Sequence, residues 1–575
     1  MATHKAADWT CDYFVENRTS CKNSLANINE SGGIPSLNSS ALHDLKDGQL
    51  VRFRGMIQDM YNPEFYFERY EVRDNSSGES SMRTGMYRDT ALCQEHEDIL
   101  LESENNKSSE RQTFVVISVP GLNEWAKEKC QNYAQAVDQS PRLSSKRPLD
   151  QDDEEPMDTS EPAKKKEREE SNVNQVGKES SLPENLLNFP ISIKNGRACI
   201  VKVYEEDASF KLNQVVDVVG FISLDPTVHT ICDPEEFTDD AEIRAHNPPA
   251  SLIPRLHAIA ITQSSEDLPV ESSLRLLPSV GAVRSDLHKV FSQILFGDDL
   301  AADFLIAHLL SKIYMRRNDL CLGNYPLNIT HFSVEKFPNF PKSFYNLLTE
   351  IVSKSHYFLC TLDNLNDGCL IPKKDYECNR LTSGTLQLSN NTHLVIDETK
   401  LTAGKLSQEG RKNYQAIDNL LTLQKVTYDF KFYTMEYEMD IPVLILSETK
   451  SFLPCMVQVP LNIDSDIENR YPQVLQLVEQ FLKDEDRLND VRKYFKQLQL
   501  LDFQIDQAIA DTIQEDFVKL RQLDDKINAD NLHSLMVLAR LMALSHGESS
   551  LTLERWRDTF KKELERLARL RKRAK

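Results

Sequence analysis

Glycine is scarce in this chain. Eighteen glycines in 575 residues is about half the usual share, and no G-x-x-x-x-G-K-[ST] stretch occurs. Without that loop there is no backbone cradle for nucleotide phosphates. The two Gly-Lys pairs, Gly177-Lys178 and Gly404-Lys405, run on into Glu179 and Leu406 instead of Ser or Thr. H-E-x-x-H, G-x-S-x-G and Cys-x-x-Cys are also missing, which removes the common signatures of zinc proteases, serine hydrolases and dithiol or zinc chemistry. The eleven cysteines are scattered singly. The densest group, Cys360, Cys369 and Cys378, repeats at nine-residue intervals that fit no zinc spacing, and reduced thiols in an intracellular protein are expected. No run approaches the roughly eighteen apolar residues a membrane span needs, and the first residues, MATHKAADWTCDYFVENRTSCKN, have no apolar leader core. No catalytic, cofactor-binding or metal-binding residue is assigned.

What is present is acidic and modular. The formal net charge is −22. Coating DNA needs clustered Lys and Arg, so direct DNA binding is not expected and protein partners are. Residues 1–41 are expected to be poorly ordered. In RFRGMIQDMYNPEFY, apolar Phe53 and Ile57 alternate with Arg52, Arg54 and Gln58, and Gly55 sits where a strand bends. A second β-rich block, from Ala198 to Pro226, has the same character. Together, residues 42–138 and 184–232 are expected to form a discontinuous OB-like β-barrel. Its aromatics Phe53, Tyr66 and Phe67 raise the alternative of a single-stranded DNA binder that stacks bases, against the plainer alternative of core packing.

Between those blocks, residues 139–183 are almost free of aliphatics and rich in charge, proline and serine, and are expected to be a disordered insertion. It carries Lys146-Arg147 and then Lys164-Lys165-Lys166, two clusters like those a nuclear import carrier reads. Residues 233–278 are expected to be a linker. From residue 279 helices and strands alternate, as in an α/β layer with a mostly parallel sheet, up to residue 465. Residues 466–575 are expected to be helical and close on a basic helix containing Arg566, Arg569, Arg571, Lys572 and Arg573.

Within the α/β part, THLVIDET ends an apolar strand on Asp397 and Glu398. P-loop ATPases place a magnesium-binding Asp and a water-activating Glu in this way. A divergent ATPase is therefore one alternative. Where a phosphate loop belongs, LCLGNYPLNITHFSVEKFPNFPKSF has a single glycine, Gly323, and its Lys336 and Lys342 lie in no glycine cradle. Asp397 and Glu398 then mark a degenerate ATPase strand.

RFRGMIQDMYNPEFY, ACIVKVYEE, NPPASLIPRLHAI, THLVIDET and WRDTF, in that order, resemble the mini-chromosome maintenance (MCM) complex-binding protein family from about residue 42 to 560. The resemblance implies a nuclear, non-catalytic factor that binds MCM helicase subunits. It also implies roles in removing the helicase from chromatin, in stabilising free subunits and in sister-chromatid cohesion. The domain order resembles that of an MCM subunit. IPVLILSET resembles the sensor strand, with Ser447-Glu448 where those subunits carry Asn, and Asp530 stands at the position of their lid arginine. The expected fold class is thus α+β multidomain: an OB-like β-barrel, a degenerate AAA+-like α/β domain, and a C-terminal helical lid and tail.

Overall fold

The computed structural model describes residues 6–28, 33–135, 187–205, 209–224, 240–264, 280–317, 320–505, 507–523 and 528–574. The architecture is mixed α+β and multidomain, with a helical C-terminal region. The clusters Lys146, Arg147, Lys164, Lys165 and Lys166 lie outside the described residues.

The first sheet is built on one long strand, β1 (Leu50–Asp74), with β2 (Ser80–Thr84), β3 (Glu97–Ile99), β4 (Lys107–Ile117), β5 (Ala198–Val203), β6 (Val215–Ser223) and β7 (Arg255–Gln263). β1 pairs with β4 through its middle and with β6 through its start. The pairings β1–β4–β5–β7–β6–β1 therefore close on themselves, with β5–β7 the parallel contact. Alternate residues Val51, Phe53 and Ile57 point into the enclosed core with Val116, Cys199, Val201 and Val218, as the period of two in the sequence predicts. Gly55 is required at its position: a Cβ there would meet the Ile117 carbonyl oxygen at 2.5 Å. Three register shifts, beginning at Ile57/Asp59, bend β1 along its length.

Two expectations need correction here. Residues 6–28, within the stretch expected to be poorly ordered, are packed: around helices Cys11–Glu16 and Arg18–Ile28, Trp9, Phe14, Cys21 and Leu25 lie on the outer face of this sheet, against Leu50, Tyr87, Tyr204 and Phe221. These four buried groups between residues 9 and 25 anchor a segment that lacks strand or long-helix periodicity. The stretch 233–278 is not simply a linker either, since β7 lies within it and completes the circuit between β5 and β6.

The second sheet is parallel: β10 (Leu327–Thr330), β11 (Ser355–Leu359), β14 (His393–Asp397), β17 (Val443–Ser447) and β18 (Val457–Pro460), in the order β11–β14–β17–β10–β18. Its central strands are buried on both faces. Val395, Leu444 and Leu446 pack with helices Val280–Ile294, Asp299–Leu310 and Phe340–Ile351. Leu394, Ile396, Val443 and Ile445 face the helix Gln408–Leu423 and a further small sheet. Two-sided burial is why THLVIDET and IPVLILSET read as near-continuous apolar runs.

The small sheet, β12 (Lys373–Asp375), β13 (Arg380–Thr382), β15 (Lys425–Asp429) and β16 (Thr434–Glu438), runs β13–β12–β15–β16. A two-stranded hairpin, β8 (Met315–Arg317) with β9 (Leu320–Leu322), lies apart from it. Helices Ser465–Asn469, Tyr471–Leu482, Glu485–Gln499, Gln507–Leu523, Ala529–Ser545 and Leu553–Ala574 follow, in the stretch 466–575 expected to be helical.

The two sheet regions are joined by buried polar contacts. Asp59 Oδ2 accepts the Leu381 N–H at 2.7 Å and the Gln58 side-chain amide donates to Leu381 O at 2.9 Å. The Gln387 amide donates to Gln58 O at 2.8 Å, and the Tyr428 hydroxyl donates to Asn213 Oδ1 at 2.8 Å. Residues 121–123 run beside the free edge of β11, with Ser355 N–H on Gly121 O at 2.8 Å and Asn123 N–H on Ser353 O at 2.9 Å. Gly121 has φ +73, and a Cβ there would meet Ser355 O at 2.8 Å.

Candidate functional site

The strand ends that carry the candidate carboxylates lie side by side: β14 next to β17, and β17 next to β10. In open parallel sheets, ligands bind at such carboxyl ends, so the groups presented there decide what the region can do.

Asp397 is buried, and both its oxygens are engaged. Oδ2 accepts the Tyr357 hydroxyl from β11, and Oδ1 accepts the Thr399 N–H at 2.8 Å. Burial, joined by this contact with Asp397, pushes the Tyr357 hydroxyl pKa far above its usual value. Glu398 is buried too. Its Oε1 accepts the Ser451 hydroxyl at 2.8 Å and the Leu453 N–H at 3.2 Å, while Oε2 accepts the Phe452 N–H at 3.0 Å. Burial raises the Glu398 carboxyl pKa, opposed by those three hydrogen bonds. A carboxylate accepting several backbone N–H groups acts as a loop anchor. Here it holds residues 451–453, and Phe452 rests edge-on against Tyr414, 5.0 Å between centroids.

The loop after β10 follows a central strand of the parallel sheet. His331 adopts φ +67, and its N–H donates to Glu448 O at 3.2 Å. The Glu448 carboxylate accepts the Val334 N–H at 2.7 Å. Phe332 and Val334 are buried, with Phe332 against Phe340 at 4.7 Å. A backbone N–H facing this loop is therefore bound to the chain's own carboxylate and is flanked by phenylalanines. Lys336 pairs with Glu468 at 2.6 Å, while Lys342 is exposed. Ser447 is buried, its hydroxyl 2.8 Å from Thr449 O and 3.1 Å from Asn328 Oδ1. Asp530 is exposed in the first turn of its helix, accepting from the Asn528 amide at 3.2 Å.

The structure thus gathers Asp397, Glu398, Ser447 and Glu448 at one end of the sheet. The distinctive role of Glu448 was not legible in its own neighbourhood, because the N–H it accepts lies 114 positions away. Among the described residues no group of three or more His, Cys, Asp or Glu is arranged to hold a metal ion, and no helix is long and apolar enough to cross a membrane.

The aromatics of the DNA-binding alternative are not gathered on one surface. Phe53 is in the core. Tyr66 packs against Tyr204 (5.1 Å), with the Arg111 guanidinium 5.5 Å from its ring, and Phe67 is half-buried. The basic C-terminal helix also turns part of its charge inward. Arg566 is buried, bonded to Glu563 and to Gln458 O. Arg569 reaches Asp298 and Pro460 O. Lys572 and Arg573 are exposed.

Comparison with known proteins gives one consistent result. The profile of the family described as mini-chromosome maintenance replisome factor matches residues 21–570, extending the likeness beyond the 42–560 expected. A mini-chromosome maintenance complex-binding protein of Drosophila melanogaster is 36% identical over 561 residues, covering 93% of this chain and 92% of that protein. Proteins with the same name from Mus musculus and Homo sapiens are each 36% identical, covering 98% of this chain and 94% of the relative. By sequence this chain belongs to the mini-chromosome maintenance complex-binding family.

Proposed function

We propose that this chain is a non-catalytic nuclear factor that binds subunits of the MCM replicative helicase. Through that binding it supports helicase removal from chromatin or subunit stability during DNA replication and sister-chromatid cohesion. The observation that carries the reading is the near full-length similarity to proteins named MCM complex-binding protein. The geometry adds a physical rationale. The closed circuit of five strands is what an OB-like barrel requires, and the helix-flanked parallel sheet is what an AAA+-like core requires. In that core the Asp397 and Glu398 oxygens and the Val334 N–H are taken by the chain's own groups, which supports an inactive copy. Such a module is suited to occupy the face that a helicase subunit offers to its ring neighbour. Lys146, Arg147 and Lys164–Lys166 would engage a nuclear import carrier.

The test is co-purification. Tagged full-length chain mixed with individual purified MCM subunits is expected to retain at least one of them, with ATP leaving the complex and the thermal midpoint unchanged. Failure to retain any subunit overturns the binding reading. A midpoint raised by ATP-magnesium and insensitive to Glu448→Ala overturns the inactive-copy reading. Alanine at Lys146, Arg147, Lys164, Lys165 and Lys166 is expected to shift a fluorescent fusion from nucleus to cytoplasm.

A further inference from the structure

We propose that the free edge of β16 receives an extended basic and apolar segment of a partner protein by strand addition. β16 is the terminal strand of its sheet. Its register sets Tyr437 opposite Val426 and Met435 opposite Tyr428, and beyond it Met439 N–H donates to Gln424 O at 2.8 Å. The odd-numbered backbone groups thus face β15. Alternate groups of an antiparallel strand face away from its partner, so the N–H and C=O of Thr434, Glu436 and Glu438 point outward. None of these three N–H groups donates to a described residue. Exposed edges are ordinarily blunted by proline, by charged side chains, lysine above all, or by a bulge, and the only such device here is the pair Glu436 and Glu438. Thr434–Glu438 contains no proline and no lysine, and its pairing is uninterrupted.

The side chains at this edge fit one kind of occupant. At the hairpin tip Phe432 is 79% and Tyr433 55% exposed, and Met435 is exposed beside them. Tyr376 meets Phe432 edge-on at 5.5 Å, and Phe430 stacks on Tyr433 at 5.0 Å. Together they form an apolar ledge on the face that Tyr437 shares. On the opposite face Glu436 and Glu438 stand at alternate positions, 3.4 Å from Lys425 and 3.9 Å from Arg316, and both stay largely exposed. Like charges directly opposite one another are unfavourable, so antiparallel addition of a second copy centred on Glu436 would set carboxylate against carboxylate. An incoming strand alternating Lys or Arg with aliphatics would instead meet Glu436 and Glu438 on one face and the ledge on the other. Strand addition takes its affinity from main-chain bonds and its selectivity from alternate side chains. The proposal does not depend on helicase binding, and its assay contains no helicase subunit.

The test uses full-length chain and a fluorescein-labelled (Lys-Val)5 peptide, followed by anisotropy. Thr434→Pro removes an outward N–H and no charge, and is expected to weaken peptide binding at least about tenfold with unchanged circular dichroism and urea midpoint. Glu436→Lys with Glu438→Lys is expected to transfer the preference to (Glu-Val)5. In the wild-type chain the amides of Thr434, Glu436 and Glu438 are expected to gain hydrogen-exchange protection when the Lys-Val peptide is added, a readout that needs no variant. Equal binding by wild type and Thr434→Pro would reduce the effect to charge attraction and overturn the proposal. So would peptide binding that appears only when residues 139–183 are deleted, or self-association that Thr434→Pro abolishes.

Discussion

At the scale of single residues, Glu398 is a fastener. Its carboxylate holds the Ser451 hydroxyl and two backbone N–H groups, and hydrogen bonds to a charged group contribute about 1.5–3 kcal/mol each at most. Glu398→Ala is expected to destabilise the chain by about 2–4 kcal/mol and to raise hydrogen exchange at Phe452 and Leu453. A change below about 0.5 kcal/mol would show that the loop holds itself. Histidines supply a second prediction. Burial lowers the pKa of His308 to about 4 and that of His393 to about 3, below the value near 6.5 of an unfolded chain. The unfolded state then binds more protons between these values. Stability is fully present above about pH 6.5 and is lost as pH falls toward 4, by up to about 1.4 kcal/mol per pH unit per histidine. Urea midpoints at pH 7.5, 6 and 5 are expected to fall in that order, and equal midpoints would refute the linkage.

At the scale of elements, termini and caps hold more than their composition suggests. Asp298 caps the helix Asp299–Leu310 through the Ala301 N–H at 3.1 Å. Its other oxygen accepts the Asn462 N–H at 2.8 Å and Arg569 from the last helix. Asp298→Ala is expected to cost about 2–4 kcal/mol, more than the roughly 1 kcal/mol of a lone cap, and Arg569→Ala to cost only part of that. Phe14→Ala is expected to cost about 3–5 kcal/mol, measurable as a lower denaturant midpoint. A near-zero effect would return residues 6–28 to the loose tail first expected. The contrast shows what the sequence made legible. β14 and β17 were visible because two-sided burial writes near-continuous apolar runs. The helix start at Asp298 is a local signal, since the cap and the N–H it accepts lie within three residues. The N-terminal helices were not visible, since their apolar groups become meaningful only against Leu50 and Tyr204. β7 was not either, because its partners β5 and β6 are assembled by pairings distant in sequence. The Asp-Glu pair was legible as a strand end. Its occupancy was not, since Tyr357, Ser451 and Phe452 approach from other segments.

At the scale of the whole molecule, the ties between the two sheet regions are buried and polar rather than a flexible joint. Asp59 is buried, and burial raises its carboxyl pKa although Leu381 N–H and Lys374 favour the charged form. The Trp125 indole N–H donates to Thr349 O at 2.9 Å, while the Arg492 guanidinium lies 4.0 Å over its ring. These contacts favour a single unfolding transition for the two regions. Asp59→Leu leaves the Leu381 N–H buried without its acceptor, at about 1–3 kcal/mol. It is expected to split one calorimetric transition into two, and a lower but still single transition would show that the remaining ties suffice.

Glu448 carries a consequence for how such a chain could change over time. Its carboxylate fills the place that an anion would take beside the Val334 N–H. Installing glycines and a lysine after β10 would therefore bring a phosphate up against a resident negative charge, and the added residues would confer no benefit until position 448 had itself been replaced. The order of substitutions, not only their number, would decide whether a phosphate could be held beside the Val334 N–H. Such a barrier behaves as a ratchet: the scaffold can stay intact while a return to anion binding is blocked until Glu448 changes first.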